Sequence, residues 1–173
     1  MSVPGIGIIV IVAALAGIVI YNGLVRARLR VREGWGAIDV QLQRRASLIP
    51  NLVEAVKGYA EYERGTMKKV VEARGALSSA AGPGAAARAN ADLTSALQSF
   101  FAIAEAYPDL KANERFAQLQ ADLADTENKI AYARNYYNGA VETYNSRIQT
   151  VPGVLVARPL GFAPAEFFTF KAD

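Results

Sequence analysis

The sequence predicts an all-α fold: an N-terminal transmembrane helix that runs into an elongated antiparallel bundle of long helices, followed by an extended aromatic C-terminal tail. Three observations predict it. The run from Val3 to Val25 contains no Asp, Glu, Lys or Arg. Apolar residues then recur at steps of three and four from Val31 to Ala60 and again from Phe116 to Tyr144, which is the period of a helix face and not of a strand. The chain closes on a Pro- and Gly-containing segment that carries Phe162, Phe167, Phe168 and Phe170. The implied division is an anchor over 1–25, a bundle over 26–151 and a tail over 152–173.

The anchor is long enough for its role, because about 20 apolar residues cross a hydrocarbon core of roughly 30 Å. A cleaved signal peptide would begin with a basic region, and none precedes the run; its best small-x-small site, Ala14-Leu15-Ala16, lies inside the apolar stretch. A core helix of a soluble domain would need other apolar surface on every side, more than a chain of 173 residues supplies. Ala13 and Gly17 form a small-xxx-small pair, with Gly5, Ala14 and Ala16 nearby, so one face of the span is suited to close helix packing.

Arg26, Arg28, Arg30 and Arg32 follow at once. By the positive-inside rule they place the N-terminus outside and the bundle in the cytoplasm. From Arg26 to Ile49 six Arg oppose Glu33 and Asp39, whereas the rest of the chain is nearly balanced; the total is +3. Positive charge therefore concentrates beside the bilayer, where anionic headgroups attract each basic residue by about 1 kcal/mol. A nucleic-acid surface is disfavoured, since no basic face recurs farther along.

The first bundle helix carries a stripe of Val31, Trp35, Ile38, Leu42, Ala46, Ile49, Leu52, Val56 and Ala60. Gly23, Gly34 and Gly36 each lower helix propensity by about 1 kcal/mol relative to Ala, without forcing a stop. Pro50 has no N–H for the carbonyl of Ala46, so a kink or restart is expected between Ser47 and Asn51. The stripe continues through Met67, Val70, Val71 and Leu77, flanked by Glu63, Arg64, Lys69 and the i,i+4 pair Lys68 and Glu72. Gly82-Pro83-Gly84 marks a hairpin. A helix over about 86–106 follows, with Leu93, Leu97, Phe100, Phe101 and Ile103, ending at Tyr107-Pro108.

Asp109 or Asn113 caps the last long helix. Its stripe of Phe116, Leu119, Leu123, Thr126, Ile130, Ala133, Tyr137, Ala140 and Tyr144 holds a coiled-coil period, which implies lengthwise packing against the first helix. Asp125 and Lys129 support it from outside. Pro152-Gly153 ends it. The tail should dock, on its own bundle, a neighbouring protomer or the membrane, because burying each Phe is worth about 1.5–3 kcal/mol.

No catalytic set assembles. The chain has neither Cys nor His, which removes thiol chemistry, Cys/His metal sites and the imidazole base. No phosphate-binding loop, metal-ligand spacing or activated nucleophile is present, and no cofactor is implied. Glu127 with Arg134, or Asp39 with Arg45, reads as a helix-face or inter-helix ion pair. Tyr137-Asn138 and Tyr144-Asn145 repeat a dipeptide at a seven-residue interval, a third copy being Tyr21-Asn22. Their donors and acceptors suit hydrogen bonds between helices.

Several segments together resemble one family. These are Tyr21-Asn22-Gly23-Leu24-Val25, Trp35, Ile38-Asp39-Val40-Gln41-Leu42 with Arg44-Arg45, and Leu48-Ile49-Pro50-Asn51-Leu52-Val53-Glu54 through Val56-Lys57-Gly58-Tyr59. They continue with Tyr107-Pro108-Asp109-Leu110-Lys111-Ala112-Asn113, Thr126-Glu127, Ala133-Arg134, the two later Tyr-Asn pairs and Gly161-Phe162. The ordered set resembles the LemA family over nearly the whole chain from Tyr21. Phe167-Phe168 departs from it, standing where a Tyr-Phe pair is expected.

The resemblance implies a bacterial inner-membrane protein, single-pass, with a short outside N-terminus and a cytoplasmic long-helix bundle. It brings no catalytic residues. LemA-like proteins are linked to the organisation of membranes, including magnetosome membranes, and some are encoded near a membrane metalloprotease. The functional expectation is a non-enzymatic, homo-oligomeric scaffold that shapes or organises the bilayer from its cytoplasmic side. The alternative is an adaptor that binds a membrane protease or an envelope-stress partner.

Overall fold

The computed structural model describes residues 3–57 and 64–169. Six helices occur among the described residues: α1 Val3–Val56, α2 Arg64–Ser79, α3 Pro83–Ala104, α4 Pro108–Lys111, α5 Glu114–Gln149 and α6 Gly153–Ala157. No strand occurs among them. Ala60, Glu63 and Phe170 lie outside the described residues.

Helix α1 has 54 residues, a length of about 80 Å at 1.5 Å per residue. Its first part is apolar and open: Ile8 through Val12, Leu15, Ile18 and Val19 are all exposed. The most apolar 18-residue window of the helix has a mean hydropathy of 2.6 and is 6% buried. The core helix of a soluble domain would be enclosed; this one is open, and it is long and apolar enough to cross a membrane.

From Leu24 onward the same helix enters the bundle. Leu24, Ala27, Val31, Ile38, Leu42, Ala46, Ile49, Leu52 and Val56 are buried, most of them three or four residues apart. Their partner stripe on α5 is Phe116, Leu119, Leu123, Thr126, Ile130, Ala133, Tyr137, Val141, Tyr144 and Ile148. The sequence stripe favours Ala140, but Val141 takes the core position, a one-residue slip that keeps the step of four from Tyr137. The α1–α5 contact is the most extensive in the protein. Gly34 sits where the two backbones come close, because a Cβ there would lie 3.1 Å from Tyr137 Cα.

Pro50 does not break α1, which continues to Val56. The lost hydrogen bond leads one to expect a kink or restart between Ser47 and Asn51, and the structure replaces that bond. Arg74 Nε, on α2, donates to the Ala46 carbonyl at 3.2 Å, the group that the N–H of residue 50 would otherwise satisfy. Helix α2 is thereby tied to α1 through the backbone defect of Pro50.

Helices α2 and α3 form a hairpin, and α2 packs on α1. The turn lies at residues 80–82, earlier than the tripeptide as a whole suggests. Gly82 takes φ 85° and Pro83 begins α3, as the fixed φ of proline suits a first helical position. Helix α3 ends at Ala104, and Pro108 opens the single turn of α4. Asn113 caps α5, its Oδ1 accepting from Phe116 N at 3.2 Å, which decides between it and Asp109. Past Gln149 a cis Val151-Pro152 bond leads into α6, so Gly153 starts a short helix where the sequence suggests a stop alone.

The Pro50 exchange yields a coupled prediction. Arg74→Met should cost about 1–3 kcal/mol of unfolding free energy by orphaning a buried carbonyl. In a Pro50→Ala background, where the backbone N–H regained at position 50 can reach the Ala46 carbonyl, the same change should cost clearly less. Urea unfolding of the four proteins of the double-mutant cycle measures the difference.

Candidate functional site

Two features bring together the polar side chains singled out in the sequence: a groove that holds the tail, and a polar node inside the bundle. The groove begins at the corner after α6. Gly161, with φ 69°, reverses the chain, and residues 162–169 then run back along α5 without helix or strand.

Asn145 grips Ala165 with both ends of its amide: Nδ2 donates to Ala165 O at 2.9 Å, and Oδ1 accepts from Ala165 N at 2.8 Å. Asn138 does the same to Phe168, at 3.2 Å and 2.9 Å. The preceding tyrosines add one bond each. Tyr144 donates to Ala163 O at 2.9 Å, and Tyr137 to Glu166 O at 2.6 Å. The dipeptide repeat suggests bonds between helices; in the structure it joins one helix to an extended stretch of tail instead.

The register has a simple cause. Seven residues of α-helix rise about 10.5 Å, and three residues of extended chain span about 10 Å. Each rung on α5 therefore meets every third residue of the tail, Ala165 then Phe168 and Ala163 then Glu166. The next rung on α5 would fall at Ile130-Ala131, which has no polar side chain, and the ladder has two rungs among the described residues.

Aromatic packing fixes the tail laterally. Phe168 is 3% exposed and lies 6.3 Å, ring to ring, from Trp35, which also meets Tyr137 at 6.0 Å. Phe162 is half-buried, edge-on to Tyr21 at 6.0 Å and beneath the Arg28 guanidinium at 6.0 Å. Tyr21 thus serves the tail through its ring. Phe167 is exposed. The Glu166 carboxylate lies against Gly82 and Gly84 at the start of α3, where a Cβ at Gly84 would displace it; negative charge is favoured at a helix N-terminus.

The polar node centres on Arg45, which is 3% exposed. Its Nη1 pairs with Glu127, and donates to Asn90 Oδ1 at 2.5 Å and Thr94 Oγ1 at 3.0 Å. Three helices, α1, α3 and α5, meet in this one cluster. Burial pushes the Arg45 guanidinium down from its ordinary range, and Glu127 opposes that shift. The sequence candidates are thereby re-paired. Asp39 instead accepts from Gln43, and Arg134 lines an open groove of about 350 Å³ beside Glu127. The signal for Arg45 was its place on the buried stripe side of α1, three residues past Leu42.

Arg26, Arg28, Arg30 and Arg32 are all exposed. At 100° per residue they flank the buried stripe as two pairs, Arg26 with Arg30 and Arg28 with Arg32. Ala13 is exposed, and a Cβ on Gly17 would meet nothing within 4 Å. Outside the node, Arg44 and Lys129 both reach Asp125, at 3.0 Å and 2.9 Å. The Lys129 hydrogen bond, with help from Arg44, holds the Asp125 carboxyl below the usual carboxylate range. Among the described residues no group of three or more His, Cys, Asp or Glu is placed to hold a metal.

An exposed apolar helix that continues into a long-helix bundle defines the class: a membrane-associated helical protein whose best-built polar site serves its own tail. The chain belongs to the LemA family, whose family model matches residues 34–173. Among curated relatives it is similar to the magnetosome protein MamQ of Magnetospirillum gryphiswaldense, with 27% identity over 87% of this chain and 65% of that protein. It is also similar to MamQ 2 of Paramagnetospirillum magneticum, 26% identical over 96% of this chain and 71% of that protein. Protein LemA of Metamycoplasma hominis is 26% identical over 80% of this chain and 64% of that protein. The chain thus spans just under two thirds of the length of the first and last of these. None of the names is that of an enzyme.

The tail ladder generates two predictions. Asn138→Leu should remove two bonds worth about 1–3 kcal/mol together, speeding amide exchange at Phe168 more than at Ala165, while Asn145→Leu should reverse that order. The second concerns pH. Burial, aided at Tyr137 by the Glu166 charge, raises the Tyr137 hydroxyl above its ordinary value; burial also raises Tyr144, against the pull of Arg28. The folded state then holds these protons more tightly, so their contribution is complete below the unfolded pKa of about 10 and is lost as pH rises through the folded values. Unfolding free energy measured in urea should fall in that alkaline window, less steeply in a Tyr137→Phe/Tyr144→Phe variant.

Proposed function

We propose that this protein is a non-enzymatic, homo-oligomeric scaffold of the bacterial inner membrane that shapes or organises the bilayer from its cytoplasmic side. The observation that carries the reading is the continuity of α1 from exposed apolar span to buried bundle stripe, with no break at Gly34, Gly36 or Pro50. A rigid helix transmits the tilt of the bundle to the span, so packing bundles side by side sets the angle between neighbouring spans. A flexible tether would lose that information.

Further support comes from the open face at Ala13 and Gly17, where another span can approach closely, and from the four exposed arginines at the cytoplasmic exit, which favour anionic headgroups. The positive-inside rule gives the orientation. The relatives named as magnetosome proteins agree with a role at a membrane compartment. A second reading, an adaptor for a membrane protease or envelope-stress partner, is favoured by Tyr132, 80% exposed on the outer side of α5 as a ready contact for another protein.

Light scattering of the detergent-extracted protein should show a concentration-dependent oligomer that shifts toward monomer in Gly17→Ile. A monomer at every concentration would overturn the scaffold. Crosslinking in intact cells separates the two readings: self-adducts support the scaffold, and a dominant adduct with a different protein supports the adaptor.

A further inference from the structure

We infer that the corner between α5 and the tail, residues 151–160, is a second membrane contact: an apolar wedge seated at the headgroup–acyl boundary beside the span. The inference rests on the reading of α1 as a membrane span. Three of the most exposed aliphatic side chains outside the open part of α1 are gathered here, Val151 at 76%, Leu155 at 68% and Leu160 at 56%. Elsewhere in the bundle, exposed aliphatic residues such as Val40 and Val71 stand apart.

What covers this patch follows from its depth along α1. The corner packs on Leu24, since a Cβ at Gly153 would meet Leu24 Cδ2. Arg147 from the end of α5 donates to Gly23 O at 3.4 Å. Gly23 and Leu24 lie on the lipid side of Arg26, the first charged residue of the chain. Two to three residues of helix correspond to about 3–5 Å, and the headgroup layer on each side of a bilayer is about 5–7 Å thick. With the Arg26 charge among the headgroups, the corner is held on the inner side of that layer, at the acyl boundary.

The chemistry of the corner fits that depth. A short amphipathic element with aliphatic residues and flanking cations is the pattern of an interfacial anchor. Arg147 and Arg158 are exposed beside Val151, Leu155 and Leu160, so the apolar side chains enter the acyl region while the guanidinium groups remain with phosphate. The corner is fixed in the bundle by buried Gly153 and Ala157, so the wedge cannot swing away from α1. Two points of attachment, span and wedge, hold the bundle against rotation about α1 as well as against tilt.

The chain has no cysteine, which allows clean single-site labelling of the chain with its span in place. Leu155→Cys, Val12→Cys and Tyr132→Cys, each carrying an environment-sensitive fluorophore, are reconstituted at low density in vesicles of phosphatidylcholine and phosphatidylglycerol. Quenching is read with aqueous iodide, admitted to both faces of the membrane, and with lipids spin-labelled near the headgroup or deep in the acyl chain. The Leu155 label should be quenched several-fold more by the shallow spin label than the Tyr132 label, and several-fold less by iodide. Val12 should respond to the deep label. Iodide access at Leu155 equal to that at Tyr132, with Val12 still protected, overturns the wedge and leaves the span standing. Protection of Leu155 from iodide without lipid quenching also overturns it, by assigning the patch to protein. Iodide access at Val12 overturns the span itself.

Discussion

The pairing of α1 with α5 is the contact on which the remaining elements depend. Each helix offers a stripe about ten side chains long, and the two stripes meet lengthwise, which gives a narrow chain enough burial to stand without a globular core. The close approach at Gly34 sets the distance between the axes. That distance leaves room beside Trp35 for the tail and, farther along, brings Arg45 within reach of Glu127. Because α1 also forms the exposed apolar end, the same contact joins the folding of the bundle to the position of the chain in a bilayer.

The tail is an inserted part of this assembly. An extended segment cannot satisfy its own backbone, and a helix face has no free backbone groups to offer it. Asn and Tyr supply those groups from side chains, and the near match between seven helical and three extended residues lets the same dipeptide serve twice. Phe168 and Trp35 then exclude water from bonds that would otherwise compete with it. The tail also reaches α3 through Glu166, so it links the membrane-proximal part of the bundle with the α2–α3 hairpin.

Polar groups inside the bundle follow the same accounting. A proline in a long helix leaves a carbonyl without its donor, and Arg74 supplies one from another helix. Arg45 is buried at a three-helix junction, where pairing with Glu127 and bonds to Asn90 and Thr94, all through Nη1, offset part of the loss of water, while the buried Nε has no hydrogen-bond partner. Such a cluster adds little net stability compared with an apolar replacement, but it penalises any register in which the charges do not meet.

Residue order alone was enough for the helical class, the exposed apolar span, the two long stripes and the breaks at Pro83, Pro108 and Pro152, because periodicity and helix breakers are local properties of the chain; it left the cap of α5 open between Asp109 and Asn113. It also marked Tyr137, Asn138, Tyr144 and Asn145 as one face, since residues seven apart on a helix align. What lies on that face depends on the three-dimensional packing: the reversal at Gly161 and the depth of the groove beside Trp35 bring the tail there, and neither is encoded within a turn or two of the tyrosines. The partner of Arg45 and the donor for Ala46 were equally invisible, because Arg45 and Glu127 lie 82 positions apart and Ala46 and Arg74 lie 28 apart. Local chemistry states that a group needs a partner; only the packing of α1 against α2, α3 and α5 states which one it receives.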